Sequence, residues 1–178
     1  MNERNDEKKE FAKLWAPWRM KYIEGIDTDD DGECIFCSKP EEDNDDANFI
    51  VHRGKTCFVV LNIFPYNNGH LLVVPYRHTC ELSDLDDETV LEMNSLIATI
   101  VETMKETMRP DGFNIGMNLG RSAGAGITDH LHIHIVPRWN GDTNFMPVIG
   151  GTKVISESLE DNYRKLKKYL ASKITADS

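Results

Sequence analysis

From His130 to Ile135 the sequence alternates strictly between histidine and a long or branched aliphatic residue, and Val136 and Pro137 follow. Period two is the period of a β-strand, whose successive side chains point to opposite faces. One face of this segment therefore carries His130, His132 and His134, and the other carries Leu131, Ile133 and Ile135. The aliphatic face is suited to a core. Three imidazoles in line over about 13 Å, at roughly 3.3 Å per residue, make a poor inert surface. Three of the six histidines of the chain sit in this window.

The rest of the chain supplies a sheet for that strand. Three β-like runs, Asn48 to His52, Cys57 to Ile63 and His70 to Pro75, are separated by turn residues at Gly54-Lys55 and at Pro65 to Gly69. That pattern predicts an antiparallel meander. Asp86, Asp87 and Glu88 suit the positive end of a helix dipole and open a helix with an apolar stripe of Val90, Met93, Ile97, Ile100/Val101, Met104 and Met108, stopped by Pro110. Strands are expected from Gly112 to Leu119 and from Leu131 to Pro137, and a polar helix from Ser156 to Ala171. This succession reads as an α+β domain, one antiparallel sheet with helices packed on it.

Between the last two strands lies Gly120-Arg121-Ser122-Ala123-Gly124-Ala125-Gly126. Glycines let backbone N–H groups turn toward an anion, so beside Asn118 and the histidines the loop reads as a phosphate cradle. Charge is compatible with that. Ten acidic residues and one lysine between Ile26 and Ala47 account for a net −9 of the chain's −10, leaving about −1 elsewhere. A broad basic surface for nucleic acid is excluded. No apolar run nears the roughly 20 residues of a membrane span, and MNERNDEKKEF is unlike a signal peptide. The expectation is a cytoplasmic protein with no membrane partner, in which four cysteines do not form a disulfide framework. Cys34 and Cys37 form a C-x-x-C pair, which leaves metal binding, redox chemistry or coincidence. A thioredoxin-like pair is disfavoured because nothing suggests a helix opening at Cys34. Cys57 and Cys80 read as packing residues.

The chain resembles the histidine triad family, whose signature is His-φ-His-φ-His-φ-φ, over roughly residues 48–143. In detail it is similar to that family's bacterial diadenosine tetraphosphate phosphorylase branch. The matching stretches are Leu14-Trp15-x-Pro17-Trp18-Arg19-Met20, Leu61-Asn62-x-x-Pro65-Tyr66-Asn67-x-Gly69-His70-Leu71, Gly112-Phe113-Asn114-x-Gly116-x-Asn118-Leu119-Gly120 and Pro137-Arg138-Trp139-x-Gly141-Asp142-x-Asn144-Phe145. The resemblance implies a five-stranded antiparallel sheet with a long helix and a C-terminal helix, and a homodimer. It also implies an N-terminal arm and acidic loop over 1–47 and a histidine triad domain over 48–178, together one globular unit.

The same resemblance implies site roles. His132 would be the nucleophile toward an α-phosphate, with its other ring nitrogen bonded to a backbone carbonyl. His134 would contact phosphate oxygens, and His70 would support both from behind. Asn62 takes the ribose-binding position, and Asn118 lies on the phosphate side with Gly124, Ala125 and Gly126. Where many relatives carry Gln or Ser four residues before the first histidine, this chain has Gly126. Some members bind structural zinc through a set corresponding here to Cys34, Cys37, His78 and His130, a closed tetrahedral combination. Trp15, Trp18 and Trp139 are left open between stacking on a base, a dimer contact and ordinary packing.

The function this implies is nucleotidyl transfer from dinucleoside polyphosphates, small nucleotide substrates, through a nucleotidyl-histidine, with phosphorolysis of diadenosine tetraphosphate favoured over hydrolysis. The alternatives are a nucleoside phosphoramidate hydrolase and a nucleotide-binding regulatory protein with negligible turnover. Sugar-1-phosphate uridylyl transfer is disfavoured, since those relatives carry His-Pro-His.

Overall fold

The computed structural model describes residues 34–144, 149 and 155–177. The arm bearing Trp15 and Trp18 lies outside the described residues. The chain forms α1 (Ile35–Glu41), α2 (Asp45–Asn48), β1 (Ile50–Arg53), β2 (Cys57–Leu61), β3 (Leu71–Pro75), α3 (Asp87–Thr107), β4 (Gly112–Gly116), β5 (Ile133–Arg138) and α4 (Leu159–Asp177), with two short 3₁₀ turns. The five strands make one sheet in the order β1-β2-β3-β5-β4, and every neighbouring pair is antiparallel. The α+β architecture expected from the sequence is the one observed.

Register places the histidines. Ile50 pairs with Val60, Val60 with Leu72, Leu72 with His134 and His134 with Gly116, so these residues form one row across a single face of the sheet. On this face α1 packs Phe36 against Ile50, Phe58, Val60, Leu72 and Val74. The opposite face carries Val59, Leu61, Leu71, Val73, Ile133 and Ile135, covered by Met93, Leu96, Ile100 and Met104 of α3 and by Tyr163, Leu166 and Leu170 of α4. Among the described residues, two helices thus cover one face, and the other carries the short helix α1 and a cavity.

Several boundaries and faces differ from the sequence reading. In α3 the inward positions are Thr89, Met93, Leu96, Ile100 and Met104, so Leu96 replaces Val90, which is exposed, while Ile97, Val101 and Met108 flank the core. Asp86 caps this helix by accepting the Thr89 N–H at 2.8 Å. At its other end Arg109, at φ 50°, turns the chain before Pro110, and the Trp139 indole N–H donates to the Met108 and Arg109 carbonyls. Trp139 is therefore a helix-end cap. The last strand begins at Ile133, not Leu131, so His130 and His132 precede its ladder and do not share a row with His134. The C-terminal helix starts and ends later than expected, over Leu159–Asp177. The largest difference is α1, a helix opening at Cys34 within the segment read as a loop. The Cys34 carbonyl accepts from the N–H groups of Cys37 and Ser38 at 2.8 and 3.0 Å, and burial of Phe36 docks the turn on the sheet. Pro40 and the surrounding acidic residues conceal that helix in the sequence.

Candidate active site and metal cluster

His132 stands at the mouth of β5 and is only 6% exposed. Its Nδ1 lies 2.9 Å from the carbonyl oxygen of His130. A carbonyl only accepts, so Nδ1 carries the hydrogen, and the lone pair of the neutral ring sits on Nε2. Burial pushes its pKa below the ordinary value, partly offset by that backbone bond. The Phe36 ring packs 5.1 Å from the imidazole.

A second chain of bonds sets His134. The Tyr66 backbone N–H donates to Nδ1 of the fully buried His70 at 3.0 Å, so His70 holds its hydrogen on Nε2. That Nε2 lies 2.9 Å from His134 Nδ1, which must accept. The hydrogen of His134 is left on Nε2, on the far edge of the ring. Burial, with the neighbouring His132, brings its pKa down to about 4, which keeps the ring neutral. The Asn118 Nδ2 lies 3.4 Å from that nitrogen; a half-turn of the amide exchanges its N and O and brings the oxygen round to accept the His134 hydrogen. Asn62 accepts the Phe64 N–H at 2.9 Å and places its NH₂ 3.3 Å from His70 Nδ1.

His132 and His134 line a cavity of about 470 Å³ together with Ile35, Phe36, Lys39, Val60, Asn62, Ile63, Phe64, Tyr66, Leu72, Gly126 and Ile127. Its size suits a small organic ligand, and the mixture of apolar walls with a few polar groups is usual for such sites. Of the glycine loop, Gly126 reaches the cavity wall, whereas the Gly124 and Ala125 N–H groups bond back to the Arg121 and Gly120 carbonyls at 2.9 and 3.4 Å and close the loop on itself. Gly120 and Gly124 hold φ of 77° and 90°, conformations that side-chain-bearing residues rarely adopt.

His130 turns the other way. Its Nε2 donates to the Pro75 carbonyl at 2.8 Å, which leaves the lone pair on Nδ1, 3.3 Å from the Cys34 sulfur and 3.6 Å from that of Cys37. His78 Nδ1 lies 3.3 Å from the Cys37 sulfur. The four ligand atoms of Cys34, Cys37, His78 and His130 all fall within 4.8 Å of one another. A tetrahedral zinc with bonds of about 2.3 Å to sulfur and 2.0–2.1 Å to nitrogen separates its ligands by about 3.3–3.8 Å, so the donor set fits that ion. The Pro75 carbonyl supplies the second-shell bond that such histidines need. Cys57 is buried and its thiol is pushed up to about 12, chiefly by desolvation, as a packing residue should be. Cys80 is exposed, contrary to the packing role expected of it.

The sequence reading passed over Ile35, Phe36, Lys39, Ile63, Phe64 and Tyr66 as cavity residues. The one signal for them was the pair of bulky apolar residues inside C-x-x-C, in an otherwise acidic stretch.

Residues 43–141, more than half of the chain, match the HIT domain family. This chain belongs to the histidine triad family. A relative from Mycobacterium tuberculosis named AP-4-A phosphorylase is 42% identical over 162 residues, covering 88% of this chain and 83% of its own. Among solved structures, a zinc-bound histidine triad family protein from Mycobacterium smegmatis superposes with a TM-score of 0.65 at 30% identity, over 81% of this chain and 97% of that one. A histidine triad nucleotide-binding protein from Sulfolobus tokodaii gives 0.60 at 28% identity, over 80% and 93%.

Proposed function

We propose that this histidine triad protein is an enzyme that cleaves dinucleoside polyphosphates, with diadenosine tetraphosphate phosphorolysis as the favoured reaction. The observation that carries the reading is the fixed tautomer of His132: Nδ1–H held by the His130 carbonyl at 2.9 Å, leaving the Nε2 lone pair on a ring that lines the cavity. In the first step His132 Nε2 attacks the α-phosphorus. A P–N bond forms, the bond to the bridging oxygen breaks, and ATP leaves. In the second step inorganic phosphate attacks the phosphoramidate, the P–N bond breaks, and ADP is released with the electron pair returned to Nε2. Water in place of phosphate gives AMP. The neutral His134 ring would donate from Nε2 to a non-bridging oxygen where charge develops. His70 is a positioning residue for His134. Asn62 would take ribose hydroxyls, and Gly126, Gly124, Ala125 and Asn118 would border the phosphates. Because position 126 offers no side-chain donor, the leaving oxygen would be served by backbone, water or Thr128.

The Cys34, Cys37, His78 and His130 cluster would hold zinc as a structural ion that fastens α1 to the sheet. The 42% identity to the M. tuberculosis phosphorylase supports the substrate class, and the zinc-bound M. smegmatis neighbour supports the metal. Among the described residues no helix is long and apolar enough to cross a membrane. We assign the protein to the cytoplasm as a homodimer, with residues 48–178 as its histidine triad domain and 1–47 as an N-terminal arm, on the family resemblance.

The test is turnover of diadenosine tetraphosphate with and without inorganic phosphate, resolving ADP from AMP. ADP that appears only with phosphate is the expected result. AMP in both conditions would make the enzyme a hydrolase, and the absence of any product would overturn the reading in favour of a phosphoramidate substrate or a binding role.

A further inference from the structure

Among the described residues, Lys39 is the one formally charged side chain in the lining of the cavity, whose other walls are apolar, amide or neutral imidazole. It stands three residues after Phe36, hence on the same side of α1 and farther from the metal cluster. Its hydrogen-bond partner among the described residues is the Asn48 carbonyl, at a long 3.5 Å, and the described carboxylates include none within ion-pair distance of it. Burial holds the ammonium's pKa below its ordinary value, opposed by Glu42, so the group is partly desolvated.

Topology fixes which end of a nucleotide would meet it. Asn48 lies two residues before β1, whereas His134 is on β5 with His132 just before that strand, and the strand order is β1-β2-β3-β5. Three strand spacings of about 4.8 Å separate those edges by roughly 14 Å. A nucleotide with its α-phosphate at His132 and its length along the cavity would place its base toward the β1 side, between Phe36 and the Ile63-Phe64 wall that line it. In that pose the Lys39 amine, anchored by the long bond to the Asn48 carbonyl, would lie on the base side of the cavity and away from the phosphates.

We infer that Lys39 is a specificity-determining residue that favours a 6-oxopurine over a 6-aminopurine in the half of the substrate that is attacked. Guanine offers adjacent acceptors at O6 and N7, which an ammonium can serve together. Adenine presents N7 next to a 6-amino donor, which an ammonium opposes. This rests on the proposed reading of the cavity as the nucleotide pocket, and it deepens that reading by distinguishing the two halves of a mixed dinucleotide.

A mixed adenosine–guanosine tetraphosphate reads the preference within one substrate. With excess phosphate, attack beside guanosine yields GDP and ATP, and attack beside adenosine yields ADP and GTP. If water is the acceptor, GMP with ATP or AMP with GTP reports the same choice. The metal-loaded wild-type protein should favour the guanosine side about fivefold or more, the scale of one hydrogen bond gained against one opposed. Lys39→Met should bring the partition to about one to one. Loss of folded protein lowers both product pairs alike and leaves the ratio intact. An even partition in the wild type, or a preference that persists in Lys39→Met, would overturn the inference while leaving nucleotidyl transfer standing. Absence of cleavage with either acceptor would remove both.

Discussion

His70 Nε2 lies 2.9 Å from His134 Nδ1, and because the Tyr66 N–H already donates to the other nitrogen of His70, this contact has one possible polarity. The tautomer of His134 is thus decided by a backbone amide two bonds away. A parallel device, the His130 carbonyl, decides that of His132. The two imidazoles reach the cavity with opposite functions: one presents a lone pair and the other a hydrogen.

Replacing His70 by Ala should therefore act through His134. The variant leaves the Tyr66 N–H and His134 Nδ1 without their partner, which costs about 1–3 kcal/mol for each buried group. With the His134 ring free to hold its hydrogen on either nitrogen, kcat should fall by about 10–100-fold, the usual scale for loss of a supporting bond, while KM changes little. Steady-state kinetics check this, and an equal rise in KM with unchanged kcat would place His70 in substrate binding instead.

The pH profile follows from the lowered histidine pKa values. Nucleophilic attack needs neutral His132, whose pKa is pushed below the ordinary 6.5 by burial, so the acid limb of kcat/KM should lie below that value. Stability carries a related signature. Unfolded His134 takes up a proton near 6.5, while the folded ring resists until about 4. Between those values the unfolded state binds more protons, so stability rises with pH, is complete above about 6.5 and declines as pH falls toward 4. Thermal denaturation from pH 7 to 4.5 should show a shallower decline in His134→Asn than in the wild type. Identical slopes would contradict the assignment.

The metal cluster should be felt in the cavity. Ile35 and Phe36, the two residues between Cys34 and Cys37, both line it, and Phe36 also packs 5.6 Å from His130 and 5.1 Å from His132. Removing the metal by chelation, or through His78→Ala, should weaken AMP binding by about tenfold. By reciprocity, AMP should raise the metal's equilibrium affinity by the same factor, read by competition with a chromophoric chelator. An unchanged AMP affinity in metal-free, folded protein would show that α1 needs no ion to hold the wall.

Much of this was legible in the sequence because period two and turn residues write the sheet directly. In β5 the alternation separates His134 from Ile133 and Ile135 onto the faces observed, whereas β2 and β3 are apolar and buried at every position, so their faces are decided by register alone. The exchange of Val90 for Leu96 escaped because several apolar residues of α3 satisfy helical spacing and only packing on β3 chooses among them. The helix α1 escaped because what docks it is tertiary burial of Phe36 on the sheet, not local propensity. With α1 unread, Ile35, Phe36 and Lys39 were unread as cavity wall too. His130 was separable from its two neighbours only through the family resemblance, since alternation alone puts all three on one face.

The most direct test of the central claim is to trap the covalent intermediate. Metal-loaded enzyme mixed with diadenosine tetraphosphate in the absence of phosphate, quenched rapidly under alkaline conditions and digested for mass spectrometry, should carry one adenylyl group on the peptide containing His132, and His132→Ala should carry none. Turnover without any such adduct, or an adduct that persists in His132→Ala, would contradict attack by His132.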